Sequence, residues 1–130
     1  MKVAVIGSRE FNDYALLKQL LSKEGITQII SGGAPGADSL AIDYATEMGI
    51  PWIVYKAKWD DLSHPDARIK MNTYGKQYDA NAGFRRNKLI VTECDRLVAF
   101  HDGKSPGTFN SMKEAKKQGK KITLVKYKLL

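Results

Sequence analysis

Cysteine is nearly absent from this sequence. Cys94 is the only cysteine among the 130 residues, so the chain cannot form an internal disulfide bond. Such sparse cysteine is typical of a reducing compartment. We expect Cys94 to be a small core residue rather than a nucleophile.

Long apolar runs are missing as well. No run approaches the roughly 18 apolar residues that a membrane span requires. Residues 2–7, KVAVIG, predict a first strand and do not have the pattern of a signal peptide. We therefore expect a cytoplasmic protein with no membrane partner.

The sequence also lacks the spacing of a metal site and one well-known nucleotide-binding motif. His64 and His101 have no acidic or sulfur partners at metal-ligand spacing, which argues against zinc. A Gly-x-x-x-x-Gly-Lys-Ser/Thr loop does not occur. We predict no metal and no cofactor, and the residues indicate a binding site more clearly than a mechanism.

Negative charge is scarce in the last quarter of the chain. Residues 1–103 carry 13 basic and 13 acidic side chains, whereas residues 104–130 carry eight lysines and only Glu114. A solubilising face explains this excess better than nucleic-acid binding, because the lysines lack interleaved arginine and aromatic residues. A nucleic-acid partner stays open as the alternative.

Short apolar runs alternate with stretches of helical spacing along the whole chain. One stripe, from Ala37 to Met48, repeats at three- and four-residue steps. This alternation predicts one α/β domain over residues 1–130, Rossmann-like and three-layered, with a parallel five-stranded sheet and helices on both faces. The predicted strands are Lys2–Ile6, Gln28–Ile30, Trp52–Tyr55, Arg96–Phe100 and Lys121–Lys126.

The segment from about residue 57 to residue 82 has no clear period. A connection this long inside a compact domain usually has a role or hidden structure. Three interpretations stay open: a lid over a ligand, a contact between copies, and a short helix near residues 67–74. We expect a homo-oligomer.

Small and polar residues follow three of the predicted strands directly. These are residues 7–9 (GSR), 31–38 (SGGAPGAD) and 101–108 (HDGKSPGT). Ligands of parallel sheets bind beyond the carboxyl ends of the strands. Bare glycine backbone at a helix N-terminus favours an anion, so we predict that residues 31–38 form a phosphate-binding loop. Thr108 or Ser105 is expected to cap the fourth helix.

The third helix opens with residues 82–87, AGFRRN. Arg85 and Arg86 point about 100° apart on a helix, so only one can face the crevice squarely, and Arg86 is favoured. Its guanidinium would bind a phosphate, Asn87 a base or ribose, and Asp38 ribose hydroxyls. The predicted ligand-binding residues are Gly7, Ser8, Arg9, Ser31, Gly32, Gly33, Gly36, Asp38, Arg86, Asn87, Asp102, Lys104, Ser105, Gly107 and Thr108.

These motifs, together with Trp59, resemble the SLOG superfamily, and in particular its small YspA/YpsA-related branch. That superfamily unites the DprA DNA-processing proteins with the LOG-type phosphoribohydrolases. The resemblance covers nearly the whole chain. It implies a Rossmann-like fold and a site for a nucleotide or a nucleotide-derived ligand.

The sequence departs from the hydrolases of that superfamily at one motif. They carry Gly-Gly-x-Gly-Thr followed by glutamates, whereas residues 104–111 read KSPGTFNS, with Asn110 and Ser111 in place of the acids. An amide cannot transfer a proton at neutral pH, so that mechanism is unsupported. Asp38 and Asp102 remain the catalytic candidates.

We therefore predict a protein that binds a nucleotide-type small molecule, for example to sense or sequester a signalling nucleotide. One alternative is an N-glycosidase or phosphoribohydrolase acting on nucleoside monophosphates. The other is single-stranded DNA binding in the DprA manner.

Overall fold

The computed structural model describes residues 1–23 and 25–127. Its strands are β1 (Lys2–Gly7), β2 (Gln28–Ser31), β3 (Trp52–Val54), β4 (Ile69–Met71), β5 (Gln77–Asp79), β6 (Arg96–His101) and β7 (Lys121–Lys126). Its helices are α1 (Tyr14–Leu21), α2 (Ala37–Met48), α3 (Ala82–Glu93) and α4 (Pro106–Lys117).

Five of the strands form one parallel sheet in the order β3-β2-β1-β6-β7. Successive residues of a strand point to opposite faces, so β1 supplies both cores. Val3 and Val5 pack with α1 and α2, whereas Ala4 and Ile6 pack with α3 and α4. The predicted α/β fold, with helices on both faces of a five-stranded parallel sheet, is confirmed.

The apolar stripe predicted for the second helix faces the sheet over most of its length, although Met48 at its end is 51% exposed. Ala41, Tyr44 and Ala45 of α2 are buried against the sheet. Gly49 caps the end of the helix, and Pro51 follows two residues later, where proline cannot continue a helix. At its other end, α2 is joined to the carboxyl end of β2 by the glycine-rich residues 32–36.

The prediction of a short helix near residues 67–74 is wrong. Strands β4 and β5 form an antiparallel hairpin there, outside the main sheet. The Asn72 side chain closes its turn, because Oδ1 accepts hydrogen bonds from the N–H groups of Tyr74 (2.9 Å) and Lys76 (3.0 Å). Asparagine in this role favours a turn over a helix.

Cys94 is buried, as expected of a core residue. Burial raises the pKa of its thiol, so the protonated form is favoured. No helix in the described part of the chain is both long and apolar enough to cross a membrane. Within residues 1–23 and 25–127, no three His, Cys, Asp or Glu side chains group as metal ligands would.

Candidate ligand-binding site

A cavity of about 720 Å³ lies beyond the carboxyl ends of β1 and β6 and extends to the first turns of α3 and α4. Pockets for small molecules usually fall between about 300 and 1,000 Å³. The cavity brings together these residues of the predicted set: Gly7, Ser8, Arg9, Asp38, Arg86, Asn87, Asp102, Lys104, Ser105, Gly107 and Thr108.

Four predicted residues of the glycine-rich loop, Ser31, Gly32, Gly33 and Gly36, do not line this cavity. The Ser31 hydroxyl is buried, donates to the carbonyl of Asp38 (3.0 Å) and accepts from the Gly33 N–H (3.1 Å). The Ala34 N–H points to the Asp38 carboxylate (3.4 Å). Two N–H groups expected to face a phosphate are thus bonded within the loop itself.

Close packing explains the glycines of this loop. Gly36 has a φ of 85°, and a Cβ there would lie 2.3 Å from the carbonyl oxygen of Ser8. Gly33 has a φ of 72°, and its Cβ would lie 2.8 Å from a methyl group of Val54. Both positions favour glycine for conformational and steric reasons, whether or not a ligand is near.

Asp38 is a buried carboxyl group in the first turn of α2, with 6% of its surface exposed. Burial raises its pKa to about 6, against the lowering effect of the Ala34 N–H and the nearby Arg86 charge. Asp38 therefore changes its protonation state close to neutral pH.

Arg86 reaches into the same region from α3. Its Nη1 donates to the carbonyl of Gly32 (3.0 Å), and its Nε donates to Oδ1 of Asn87 (2.9 Å). Burial lowers the pKa of the guanidinium, whereas the Asp38 charge opposes that shift. Arginine stays protonated in such settings, so the cavity wall holds a fixed cation beside a titratable acid.

The first turn of α4 forms the opposite wall. Asp102 Oδ1 accepts from the N–H groups of Lys104 (2.8 Å) and Ser105 (3.0 Å), and these bonds lower the pKa of Asp102. Ser105 occupies the N-cap position, but its side chain makes no capping bond to the helix. Neither Ser105 nor Thr108 therefore caps the helix as expected. Thr108 Oγ1 instead donates to Ser105 Oγ (3.1 Å).

Asn110 and Asn87 meet beside this wall. The Asn87 amide donates to Oδ1 of Asn110 (3.2 Å), and the buried Ser111 lines the cavity. By the family resemblance, Asn110 and Ser111 occupy the positions at which the LOG-type hydrolases carry glutamates. On α4, the Ser111 hydroxyl lines the cavity, whereas the Asn110 amide lies beside it and is bonded to Asn87.

The two neighbouring arginines of α3 separate as their helical angle requires. Arg85 is turned away from the cavity and pairs with Asp79 and Asp66. Asp79 is completely buried, and no motif in the sequence marked it. The only sequence signal for this ion pair was the position of Asp79, six residues before Arg85.

Two aromatic residues of the lining, Trp59 and Phe84, were not among the predicted ligand-binding residues. Trp59 comes from the segment without a period, and Phe84 from the first turn of α3. Both belong to the motifs that carried the family resemblance, so the signal was present but was not assigned a role.

Among solved structures, the chain is similar to DprA of Streptococcus pneumoniae, with a TM-score of 0.74 and 21% identity. It covers 99% of this chain and about half (51%) of that one. A DprA structure from Helicobacter pylori, described for its single-stranded DNA binding mode, matches with a TM-score of 0.68 and 24% identity over 99% of this chain and 66% of that one.

A third similar structure is the molybdenum cofactor binding protein of Rippkaea orientalis. Its TM-score is 0.66 and its identity 18%, over 97% of this chain and 76% of that chain. At these identities the likeness concerns the fold. No curated protein matches the chain significantly.

A family model matches the N-terminal part of the sequence. Residues 1–61 match YAcAr, described as the YspA, cpYpsA-related SLOG family. This part contains β1, the glycine-rich loop, α2 and Trp59. The resemblance to the SLOG family that the motifs predicted is thereby confirmed over residues 1–61.

Proposed function

We propose that the cavity binds a nucleotide or a nucleotide-derived ligand, with its phosphate at α4 and its sugar and base towards α3. One observation carries this proposal: a single cavity unites the first turn of α4, the Arg86 guanidinium and the Asp38 carboxyl group. An anion site, a cation and a hydroxyl acceptor together match the chemical groups of a nucleotide.

The phosphate end is best assigned to α4. The first turn of this helix has no side-chain cap, and Gly107 and Thr108 line the cavity. Uncapped N–H groups and the helix dipole favour an anion, and the exposed Arg9 and Lys104 add positive charge at the rim. The loop before α2 is the weaker candidate, because Asp38 would repel a phosphate there.

The sugar end is best assigned to Asp38. A carboxylate accepts hydrogen bonds from ribose hydroxyls, and the nearby Arg86 offsets its charge. With a pKa of about 6, this carboxyl group is mostly ionised above neutral pH. Ligand binding through Asp38 is therefore expected to strengthen as the pH rises from 5 to 7.

Calorimetry with the four ribonucleoside monophosphates tests the proposal. We expect at least one of them to bind, and Thr108→Val to weaken that binding. Lys113→Ala is the control, because Lys113 is an exposed cation on α4 that does not line the cavity. Absence of binding by all four nucleotides, with no nucleotide in the native mass spectrum of the purified protein, would contradict the proposal.

Hydrolysis of the N-glycosidic bond is a second candidate, favoured by the raised pKa of Asp38. A carboxyl group with a pKa near 6 can act as a general acid at neutral pH. Against it, α4 carries Asn110 and Ser111, and Asp102 is bonded to backbone N–H groups. We therefore propose binding without turnover, or with very slow turnover.

Release of free base from nucleoside monophosphates over hours separates the two candidates. We expect none from the wild type. Robust release that is abolished by Asp38→Asn or Asp102→Asn would establish the hydrolase in place of the binder.

Single-stranded DNA is a third candidate ligand. It is favoured by the likeness to the Helicobacter pylori DprA structure and by the lysines of α4 and β7; Lys128 lies outside the described residues. Salt-dependent retention of an oligonucleotide that is lost in Lys116→Ala/Lys117→Ala would support it. Equal retention by the wild type and this variant would argue against it.

A further inference from the structure

The mouth of the cavity carries two exposed aromatic side chains. Trp59 has 40% of its surface exposed and Phe84 has 47%, and both line the cavity. A flat apolar surface beside polar walls suits a ligand that has an aromatic part as well as an anionic one.

Backbone and ion-pair contacts fix the position of Trp59. Its carbonyl accepts from the N–H of Asp79 (2.8 Å), so it is tied to the hairpin segment. The buried Asp79 carboxylate accepts from the N–H groups of Arg68 (3.0 Å) and Asn81 (2.9 Å) and pairs with Arg85 on α3. The segment after β3 is thereby anchored to α3.

The indole ring packs directly on the backbone of α3. A Cβ at Gly83 would lie 2.8 Å from the end of the Trp59 ring, so glycine permits this close approach. Tyr78 contacts the ring edge-on, with centroids 6.3 Å apart. The ring is held on these sides and keeps its exposed surface at the cavity.

We propose that Trp59 is the residue that contacts the base of the ligand by stacking, so that the site selects nucleotides over sugar phosphates. This inference rests on the proposed function. It gives the segment between β3 and α3 a role in specificity. It also explains why an exposed indole is held at the cavity by contacts that depend on the buried Asp79.

The test compares ribose 5-phosphate with the four ribonucleoside monophosphates by calorimetry. Stacking of a base on an aromatic ring is worth roughly tenfold or more in affinity. We expect the wild type to bind its preferred nucleotide at least about tenfold tighter than ribose 5-phosphate. Trp59→Ala is expected to remove this difference and leave ribose 5-phosphate binding unchanged.

Trp52→Ala is the matched control, because Trp52 is 47% exposed on β3 and does not line the cavity. It should leave both affinities unchanged, and Trp59→Phe should retain most of the preference. In Trp52→Phe, Trp59 is the remaining tryptophan, and its fluorescence should be quenched by the nucleotide and not by ribose 5-phosphate.

A second variant moves the ring without altering it. Gly83→Ala inserts a methyl group against the ring and should reduce the preference for the nucleotide. Gly25→Ala is its control, because no atom lies within 4 Å of a Cβ at that position. Circular dichroism of each variant checks that the fold is retained.

The outcomes separate the two proposals. Equal affinities of the wild type for the nucleotides and ribose 5-phosphate would overturn stacking and leave the phosphate site standing. A preference that persists in folded Trp59→Ala would show that another residue contacts the base. If the wild type binds none of the five compounds, the proposed function fails and the role of Trp59 fails with it.

Discussion

Two loops of this protein lead from a parallel strand into a helix at the same sheet edge, and both are rich in glycine and small polar residues. The first loop, residues 31–38, runs from the last residue of β2 into the first turn of α2, and the second loop, residues 101–108, runs from the last residue of β6 into the first turn of α4. In the first, Ser31 and Asp38 receive hydrogen bonds from the loop's own N–H groups. In the second, Asp102 receives bonds from Lys104 and Ser105, before the helix begins.

This difference separates two uses of one sequence pattern. The first loop already contains an anion, because the Asp38 carboxylate lies where a phosphate was expected. The second loop uses its acid to shape the turn before α4. Neither α2 nor α4 has a side-chain cap, but the Ala37 N–H at the start of α2 donates to the Ser8 carbonyl (3.4 Å), whereas Gly107 and Thr108 of α4 line the cavity. Glycine content alone does not identify a phosphate site; the acceptor that each N–H already has decides it.

The largest expected effect compares one substitution in both loops. Gly36→Ala places a Cβ against the Ser8 carbonyl at a φ of 85°, so it should lower the free energy of unfolding by about 3 kcal/mol. Gly107→Ala meets no atom within 4 Å and should change it by less than about 0.5 kcal/mol. Urea unfolding measures both, and equal losses would contradict the packing account.

The next effect concerns the carboxyl group in the first loop. The pKa of Asp38 is about 6 in the folded protein, whereas the ordinary pKa of an aspartate, which applies to the unfolded chain, is 3.8. The folded state therefore binds this proton more tightly. Its contribution to stability is therefore full below pH 3.8 and is lost as the pH rises through 6.

Between pH 4 and pH 7, the wild type should lose about 2–3 kcal/mol of stability relative to Asp38→Asn, at 1.36 kcal/mol for each pKa unit. Urea unfolding of the two proteins across this range measures the difference. Parallel stability curves would show that Asp38 is not a strained buried acid.

Arg86 contacts the first loop and lines the cavity that the second loop also lines. If its guanidinium binds the ligand, Arg86→Ala should weaken nucleotide binding by about 2 kcal/mol, the worth of a charge-assisted hydrogen bond. Lys88→Ala is the control, because Lys88 is an exposed cation on the same helix outside the cavity. Similar losses of affinity in both variants would mean that the ligand responds to the net positive charge of α3 and makes no specific contact with Arg86.

The smallest effect is expected at the rim of the second loop. Lys104 is exposed, so Lys104→Ala should weaken binding by less than about 1 kcal/mol at low salt. The effect should shrink as the salt concentration rises, because exposed charges are screened. Calorimetry at two salt concentrations measures it, and a large, salt-independent loss would indicate that Lys104 is enclosed with the phosphate.

The sheet was predictable from the sequence because its strands are short apolar runs that alternate with stretches of helical spacing. The hairpin of β4 and β5 was not, because neither of its strands, IKM and QYD, is an apolar run. The Asn72 turn and the buried Asp79 hold the hairpin instead. Burial of Asp79 depends on Arg85, which approaches it only in the folded chain.

The site was predictable in outline, because parallel strands bring their carboxyl ends to one edge. Its details were not, because the direction of each N–H in the glycine-rich loop depends on Ser31 and Asp38 as acceptors. The extent of the domain over residues 1–130, the homo-oligomer and the compartment stay predictions.

The difference between the two loops can be measured at their backbone amides by two-dimensional ¹H–¹⁵N NMR during titration with the nucleoside monophosphate that binds. We predict large shifts for the amides of Gly107 and Thr108, and small shifts for those of Gly33 and Ala34, which already donate within their own loop. Large shifts at Gly33 and Ala34 with none at Gly107 and Thr108 would place the phosphate at α2 and contradict the account.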